Sequence, residues 1–163
     1  MTSESTTPPA APKMKYKSFT YRTGLEWLGG RAGTLSSEGK PAFRVASPPE
    51  FKGEAGVWCP EDLFVASVNV CVMATFAAFA ERLKLPVVSY SCDAEGVIEY
   101  VENGYRFTRV TLRPKIAVRT AEAVAQAEKT IHDAHHNCIV SNSVRSSVEL
   151  VPEISVQPAQ VVT

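Results

Sequence analysis

The sequence lacks an excess of charge of either sign. Its 163 residues include 17 lysines and arginines and 17 aspartates and glutamates, so the formal net charge is zero. Binding to nucleic acid or to an anionic membrane surface by charge needs a basic field, and no lysine-rich or arginine-rich block is present. We therefore expect no nucleic-acid partner and no membrane partner.

The sequence also lacks the apolar core of a signal peptide, since its first residues are polar and rich in proline. It has only four cysteines. Four thiols without a secretory signal indicate a reducing compartment and a role in packing or chemistry, not a disulfide scaffold. We expect a cytoplasmic protein.

The chain has no evident internal repeat, and 163 residues are enough for one domain but few for two. Residues 1–14 are rich in Ser, Thr, Pro and Ala and are predicted to form a disordered tail. Residues 15–157 are predicted to form a single domain, and the residues from Pro158 onward are expected to be loose.

Hydrophobic periodicity and turn residues predict strands, a helix, a hairpin, a second helix and a last strand. The predicted elements are short strands at 16–23, 25–28, 31–35 and 42–45, a helix from Pro60 to about Lys84, strands at 87–101 and 105–118, a helix from Thr120 to about His135, and a strand at 146–156. The two long strands are joined at Glu102-Asn103-Gly104, where Asn103-Gly104 indicates a hairpin turn because both residues tolerate the positive φ of a type I′ turn. This order predicts an α+β fold with a mostly antiparallel sheet and a long buried central helix.

The stretch from Leu63 to Ala80 is apolar on every side and close to the minimum length of a membrane span. Ser67, Asn69 and Thr75 interrupt it, and the predicted strands need a helix to cover them, which favours a buried core helix. A helix buried on all sides needs a second covering surface. In so small a chain we expect an identical subunit to supply it, which predicts an obligate homodimer.

Cys71 lies inside this apolar run, and Cys138 follows the second predicted helix. Cys71 is about ten residues into its helix, too far from the positive N-terminus for the helix dipole to lower its pKa. A reactive Cys71 would therefore need a nearby cation. Arg31 is the best placed of the upstream arginines, because Gly29-Gly30 let the backbone approach another element closely.

Glu61 could hold the Arg31 guanidinium by a bidentate pair. Glu61 precedes Cys71 by ten positions, which is about 15 Å along a continuous helix, so contact needs an arginine between them or a break in the helix. Spacing alone leaves the plainer interpretation open, in which Cys71 is a small core hydrophobe and Arg31–Glu61 is a surface pair.

A different class of function, a metal-binding module, is raised by His132, His135 and His136 just before Cys138. His132 and His136 share a helix face at the spacing of paired ligands. No CxxC pair completes a zinc site, however, and histidines also suit the negative end of a helix. We expect neither a metal nor another cofactor.

The segments GGRAGTLSSEGKPAFRVASPPEF, PEDLFVASVNVC and AHHNCIVSNSVRSSVEL resemble, in order and spacing, the OsmC/Ohr family of thiol-dependent hydroperoxide reductases. The resemblance covers roughly residues 20–155. It implies intertwined α+β subunits in a homodimer, with active sites at the subunit interface. It also implies that Cys71 is the peroxidatic cysteine, Cys138 the resolving cysteine, Arg31 the arginine that stabilises the thiolate, and Glu61 the carboxylate that orients that arginine.

The activity implied by this resemblance is reduction of a hydroperoxide substrate to an alcohol. Cys71 would become a sulfenic acid, Cys138 would condense with it to a disulfide, and a dithiol reductant or a reducing partner protein would restore the thiols. Apolar neighbours would suit an organic hydroperoxide, although each of them is equally consistent with a plain core residue: Val68, Val72, Met73, Phe76 and Phe79. The alternative is a non-catalytic redox-sensing or ligand-binding protein of the same fold.

The chain departs from the family pattern before Pro60, where Trp58-Cys59 replace the small polar residues that are common there. Trp58 could wall the pocket or simply pack under the loop. Cys59 could be a third thiol near the site. Cys92, on a predicted strand, is expected to be structural.

Overall fold

A computed structural model describes residues 16–157, so the predicted tails at 1–14 and from 158 onward lie outside the described residues. The α+β class is confirmed. The elements are β1 (Gly24–Gly29), β2 (Ala32–Ser36), β3 (Phe43–Ala46), α1 (Pro60–Leu83), β4 (Val87–Val101), β5 (Gly104–Val118), α2 (Val124–His136), β6 (Ser147–Leu150) and β7 (Glu153–Val156), with short 3-10 turns at Pro49–Phe51, Ala121–Ala123 and Ser141–Ser143.

The first sheet is the predicted antiparallel meander of β1, β2 and β3. Gly29 and Gly30 turn the chain between β1 and β2 with φ values of 99° and 55°, which side-chain-bearing residues rarely adopt. The strand predicted at residues 16–23 is wrong for the single subunit, because no strand of the described chain pairs with this segment. A pattern of aromatic and β-branched residues does not form a strand without a partner edge.

The second sheet is built on the hairpin of β4 and β5, whose ends pair at Val101 and Gly104. Its turn therefore consists of Glu102 and Asn103, with φ values of 51° and 67°. These positive values are those a type I′ turn requires, but the prediction placed the turn one residue too late, at Asn103-Gly104. The burial of one face of β5 fixes the register between the two long strands. This register sets the position of the turn, although Asn-Gly is the sequence that a type I′ turn prefers.

The strand predicted at 146–156 is two strands, β6 and β7, both parallel to the free edge of β5. They are separated by Val151, whose N–H still donates to the Leu112 carbonyl oxygen at 2.9 Å, and by Pro152, which has no N–H to donate. Antiparallel pairing dominates the molecule, as predicted, with β6 and β7 as parallel additions.

The hydrophobic core lies between the second sheet and the two helices, α1 and α2. Its buried residues are Val68, Val72, Phe76 and Ala80 of α1, Leu85 between α1 and β4, Val110, Leu112, Ile116 and Val118 of β5, and Ala123, Ala127, Ile131, Ala134 and Cys138 of α2 and its flanks. No residue of β1, β2 or β3 belongs to this cluster. The first sheet thus stands outside the core of its own subunit.

Helix α1 buries only one face within the single subunit. The buried face repeats every four residues and consists of Val68, Val72, Phe76 and Ala80, as expected for a helix that packs on a sheet. Outside this buried face of α1, the side chain of Val70 is 57% exposed and that of Met73 is 37% exposed. By length and composition alone α1 could cross a membrane. Only 22% of its most apolar 18-residue stretch is buried within the subunit. A large apolar surface of α1 therefore remains uncovered.

Candidate active site

The structure brings Cys71 and Cys138 together. Cys71 lies near the middle of α1 and is partly exposed, whereas Cys138 follows α2 and is fully buried. Helix α1 packs along α2 and against the turn after it, and the two thiols lie close enough that each alters the pKa of the other. Both cysteines are free. Two thiols far apart in sequence thus form one reduced pair.

Backbone amides surround both sulfur atoms. The N–H of Ser141 donates to Cys138 Sγ at 3.4 Å, and the backbone N–H groups of Ile139 and Val140 act in the direction that lowers the pKa of Cys71. Hydrogen bonds to a thiolate stabilise its charge. The sequence analysis missed these donors, because a backbone amide has no side-chain signature; the polar SNS segment after Cys138 indicates only a turn.

The two thiols titrate as a coupled pair. Burial raises the pKa of Cys71, and its contact with Cys138 raises that pKa further, which outweighs the amides of Ile139 and Val140. Burial also opposes ionisation of Cys138, but hydrogen bonds from Cys71 and Ser141 outweigh burial and lower the pKa of Cys138. In the single subunit the surroundings of Cys71 therefore oppose its thiolate form.

Arg31 lies in the turn between β1 and β2 and is exposed. Its guanidinium donates to the carbonyl oxygen of Phe51. No ion pair within residues 16–157 joins Arg31 to Glu61. The upstream Arg44, by contrast, holds Glu54 through two hydrogen bonds of 2.6 and 2.9 Å, so its charge is already paired.

Glu61 lies in the first turn of α1, with Oε2 buried and without a hydrogen-bond partner. Its carboxylate borders a cavity of about 370 Å³ that is also lined by Trp58, Asn69 and Phe107. Because α1 is continuous, Glu61 is about 15 Å along the helix from Cys71. The single subunit thus assembles the two predicted cysteines but brings neither Arg31 nor Glu61 to them.

Cys59 caps the N-terminus of α1. Its sulfur accepts a hydrogen bond from the Asp62 N–H at 3.4 Å and donates to Asp62 Oδ2 at 3.1 Å, while the Cys59 N–H donates to the same oxygen at 3.2 Å. Burial raises the pKa of Cys59, and the carboxylates of Asp62 and Glu61 add to this effect. The continuous helix separates Cys59 from Cys71 by about 18 Å. Cys59 is therefore a helix cap, not a thiol beside Cys71.

The apolar residues predicted around Cys71 divide into two groups. Val68, Val72 and Phe76 are buried in the core, which confirms for these three the alternative that they are plain core residues. Met73 is exposed, and Phe79 lies under the Arg82 guanidinium at 4.9 Å. Cys92 packs against the core from β4, where burial raises its pKa.

The three histidines near Cys138 lie at the end of α2. Burial lowers the pKa of His135, and His132 and His136 lower it further by their charge. Among residues 16–157 no group of three or more His, Cys, Asp or Glu side chains is arranged to hold a metal ion.

The chain matches one protein-family model. The family model for OsmC-like protein matches residues 53–153. An OsmC-like protein of unknown function from Vibrio cholerae superposes with a TM-score of 0.74 and 26% identity, covering 84% of this chain and 99% of that one. No curated protein sequence matches significantly.

Two further solved structures are organic hydroperoxide resistance proteins. The one from Legionella pneumophila has 26% identity and a TM-score of 0.67, covering 87% of this chain and 99% of that one. The one from Elizabethkingia anophelis has 25% identity and a TM-score of 0.67, covering 88% of this chain and 99% of that one.

The capping role of Cys59 predicts the effect of two substitutions. Cys59→Ala removes the side-chain acceptor at the helix N-terminus and should lower the free energy of unfolding by about 1 kcal/mol. Cys59→Ser retains an acceptor and should be less destabilised. Urea denaturation followed by circular dichroism measures both, and equal stability of the two variants would contradict a capping role.

The coupling of the thiol pair predicts a shift in the reactivity of Cys71. Cys138→Ala removes a contact that raises the pKa of Cys71, so the pKa of Cys71 should fall below its wild-type value. The measurement is the pH dependence of iodoacetamide alkylation at Cys71, located by peptide mass mapping. Cys92→Ala is the control and should leave the profile unchanged, whereas an unchanged or raised midpoint in Cys138→Ala would show that the thiols are not coupled.

Proposed function

Because the chain belongs to the OsmC-like protein family, we propose that it reduces organic hydroperoxides, with Cys71 as the peroxidatic and Cys138 as the resolving cysteine. The contact between an accessible and a buried free thiol carries this proposal. The similar structures from Legionella and Elizabethkingia are organic hydroperoxide resistance proteins, which supports the substrate class.

In the first step the Cys71 thiolate attacks one oxygen of the hydroperoxide. A sulfur–oxygen bond forms, the peroxide oxygen–oxygen bond breaks, and the alcohol leaves after taking up a proton, so that Cys71 is oxidised to a sulfenic acid. The partial exposure of Cys71 supports its choice as the attacking thiol, since the fully buried Cys138 offers no surface to a substrate.

In the second step Cys138 attacks the Cys71 sulfur, and a disulfide and a water molecule form. The contact between the two sulfur atoms makes this possible with little movement of the backbone. A dithiol reductant or a reducing partner protein then exchanges with the disulfide and restores both thiols. A reducing compartment, the cytoplasm, would keep the resting pair reduced.

The first step needs a cation near Cys71, because the pKa of Cys71 is raised in the single subunit. We assign this role to Arg31, with Glu61 orienting it. Two observations support the assignment: the Arg31 guanidinium is exposed with only a carbonyl partner, and Glu61 Oε2 is buried with none. A buried carboxylate oxygen without a donor is costly unless a cation pairs with it. In this role Arg31 would stabilise both the thiolate and the developing charge on the peroxide.

The active unit proposed here is an intertwined homodimer with the sites at the subunit interface. The uncovered face of α1 and the first sheet, which lies outside the core, both require a covering surface. The first sheet exposes 69% of Leu25 and 75% of Trp27. Contiguous apolar surface of this kind marks protein–protein interfaces, and most such oligomers are symmetric assemblies of one chain.

The dimer is tested by sedimentation at micromolar concentration. The wild type should sediment as a dimer, and Val70→Asp, which places a charge on the uncovered face of α1, should shift the population toward monomer. Val151→Asp is the matched control, since Val151 is equally exposed, at 56% against 57%, but lies between β6 and β7. A stable, folded wild-type monomer would contradict the proposed assembly.

The activity is tested by consumption of cumene hydroperoxide or tert-butyl hydroperoxide with a dithiol reductant. Cys71→Ser should abolish turnover, Cys138→Ser should permit one oxidation per site without turnover through the disulfide, and Arg31→Ala should slow the first step. Cys92→Ala is the control with an intact thiol pair. Mass spectrometry after one equivalent of peroxide should show a Cys71–Cys138 disulfide, and full activity in Cys71→Ser would rule out the mechanism.

A further inference from the structure

Ser141 has a buried hydroxyl that the proposed reaction does not yet use. Its N–H donates to Cys138 Sγ at 3.4 Å, and its side chain is one of the groups that lower the pKa of Cys138. The Ser141 Oγ atom is nevertheless buried without completing a hydrogen bond. Buried hydroxyl groups are normally paired, so a buried, uncommitted donor beside a reactive thiol needs an explanation.

The surrounding turn is held independently of this hydroxyl. The Asn142 N–H donates to the Cys138 carbonyl oxygen at 3.0 Å, and the Ser143 N–H donates to that of Val140 at 2.9 Å. The side chains of Asn142 and Ser143 also bond to main-chain carbonyl groups, at 2.9 and 2.7 Å. The Ser141 side chain alone in this 3-10 turn has no such structural bond.

The geometry points to a specific role within the proposed function. We propose that Ser141 is a positioning residue for the resolving thiol, whose hydroxyl donates a hydrogen bond to Cys138 Sγ as that sulfur becomes a thiolate and holds it toward Cys71. The backbone N–H of Ser141 already donates to the same sulfur, which places this serine beside it.

The step that Ser141 supports is disulfide formation. Cys138 Sγ attacks the sulfur of the Cys71 sulfenic acid, a sulfur–sulfur bond forms, and the sulfur–oxygen bond breaks. The departing hydroxide takes up the proton that Cys138 loses, so the products are one disulfide and one water molecule. No further oxidant or reductant enters. Ser141 donates to the thiolate form of Cys138 and therefore increases the fraction of Cys138 that can attack.

The test titrates Cys138 directly, without requiring turnover. Thiolate absorbance at 240 nm is followed against pH in a Cys59→Ser/Cys71→Ala/Cys92→Ala background, in which Cys138 is the one remaining cysteine, and in the same background with Ser141→Ala. Removing a neutral hydrogen-bond donor should raise the Cys138 midpoint by about half to one pH unit. Ser141→Thr, in the same background, retains the hydroxyl and should restore the lower midpoint. Ser141→Gly removes the hydroxyl without a larger side chain and provides a second variant if Ser141→Ala fails to fold.

The matched control is Ser143→Ala, which removes a hydroxyl from the same turn at a position where it bonds to the Ile139 carbonyl oxygen. It should leave the Cys138 midpoint unchanged. An equal shift in Ser143→Ala would mean that the turn, not the Ser141 hydroxyl, controls the thiol. An unchanged midpoint in both Ser141→Ala and Ser141→Gly would also overturn the proposal.

A second measurement separates this inference from the activity on which it rests. After one equivalent of cumene hydroperoxide, the sulfenic acid at Cys71, trapped with dimedone, should persist several-fold longer in Ser141→Ala than in wild type. The rate of the first oxidation should be the same in both. If the wild type does not react with hydroperoxide, the proposed activity fails, while the titration of Cys138 still decides whether Ser141 stabilises its thiolate.

Discussion

The packing of α1 against α2 and the turn that follows it is the constraint on which the thiol pair depends. Sulfur chemistry between two cysteines requires their side chains to touch, and no local motif places Cys71 next to Cys138. The close approach is made possible by small residues of α2, since Ala127 and Ala134 are fully buried against the core. Main-chain hydrogen bonds then hold the turn, so that residues 139–141 direct their N–H groups toward both sulfur atoms. The same contact that builds the core therefore builds the reactive pair.

The single subunit leaves several of its surfaces and charges without partners. One face of α1 remains open, the first sheet lies outside the core, and Glu61 has a buried oxygen without a donor. A folded chain of this size normally buries its apolar surfaces and pairs its buried polar atoms. All three features depart from that rule. The second copy of the chain proposed above is the simplest surface that could satisfy all of them.

The sequence predicts those elements whose signals are local. Helix α1 begins at Pro60, as predicted, and ends at Leu83 beside the predicted Lys84, because its N-terminal proline and acids and the later Pro86 are local stop and start signals. The segment 16–23, the hairpin turn and the last strand were misplaced because each depends on a partner edge or on register. The candidate site shows the same difference between features with a local sequence signal and features that tertiary packing sets. The two cysteines could be proposed from a motif, but the amides around them are backbone groups whose positions only tertiary packing sets.

The two thiols differ in how easily each loses its proton, and this difference bears on the sequence of the two proposed steps. In the resting subunit the accessible Cys71 is the harder thiol to ionise, and the buried Cys138 the easier. A cation at Cys71 is therefore needed to place the thiolate where a substrate can reach it. Once Cys71 is oxidised to a sulfenic acid, it no longer competes for the negative charge. Cys138, already favoured by the Ser141 amide, then becomes the thiolate. The ionisation of the two thiols is thus linked by one coupled proton equilibrium.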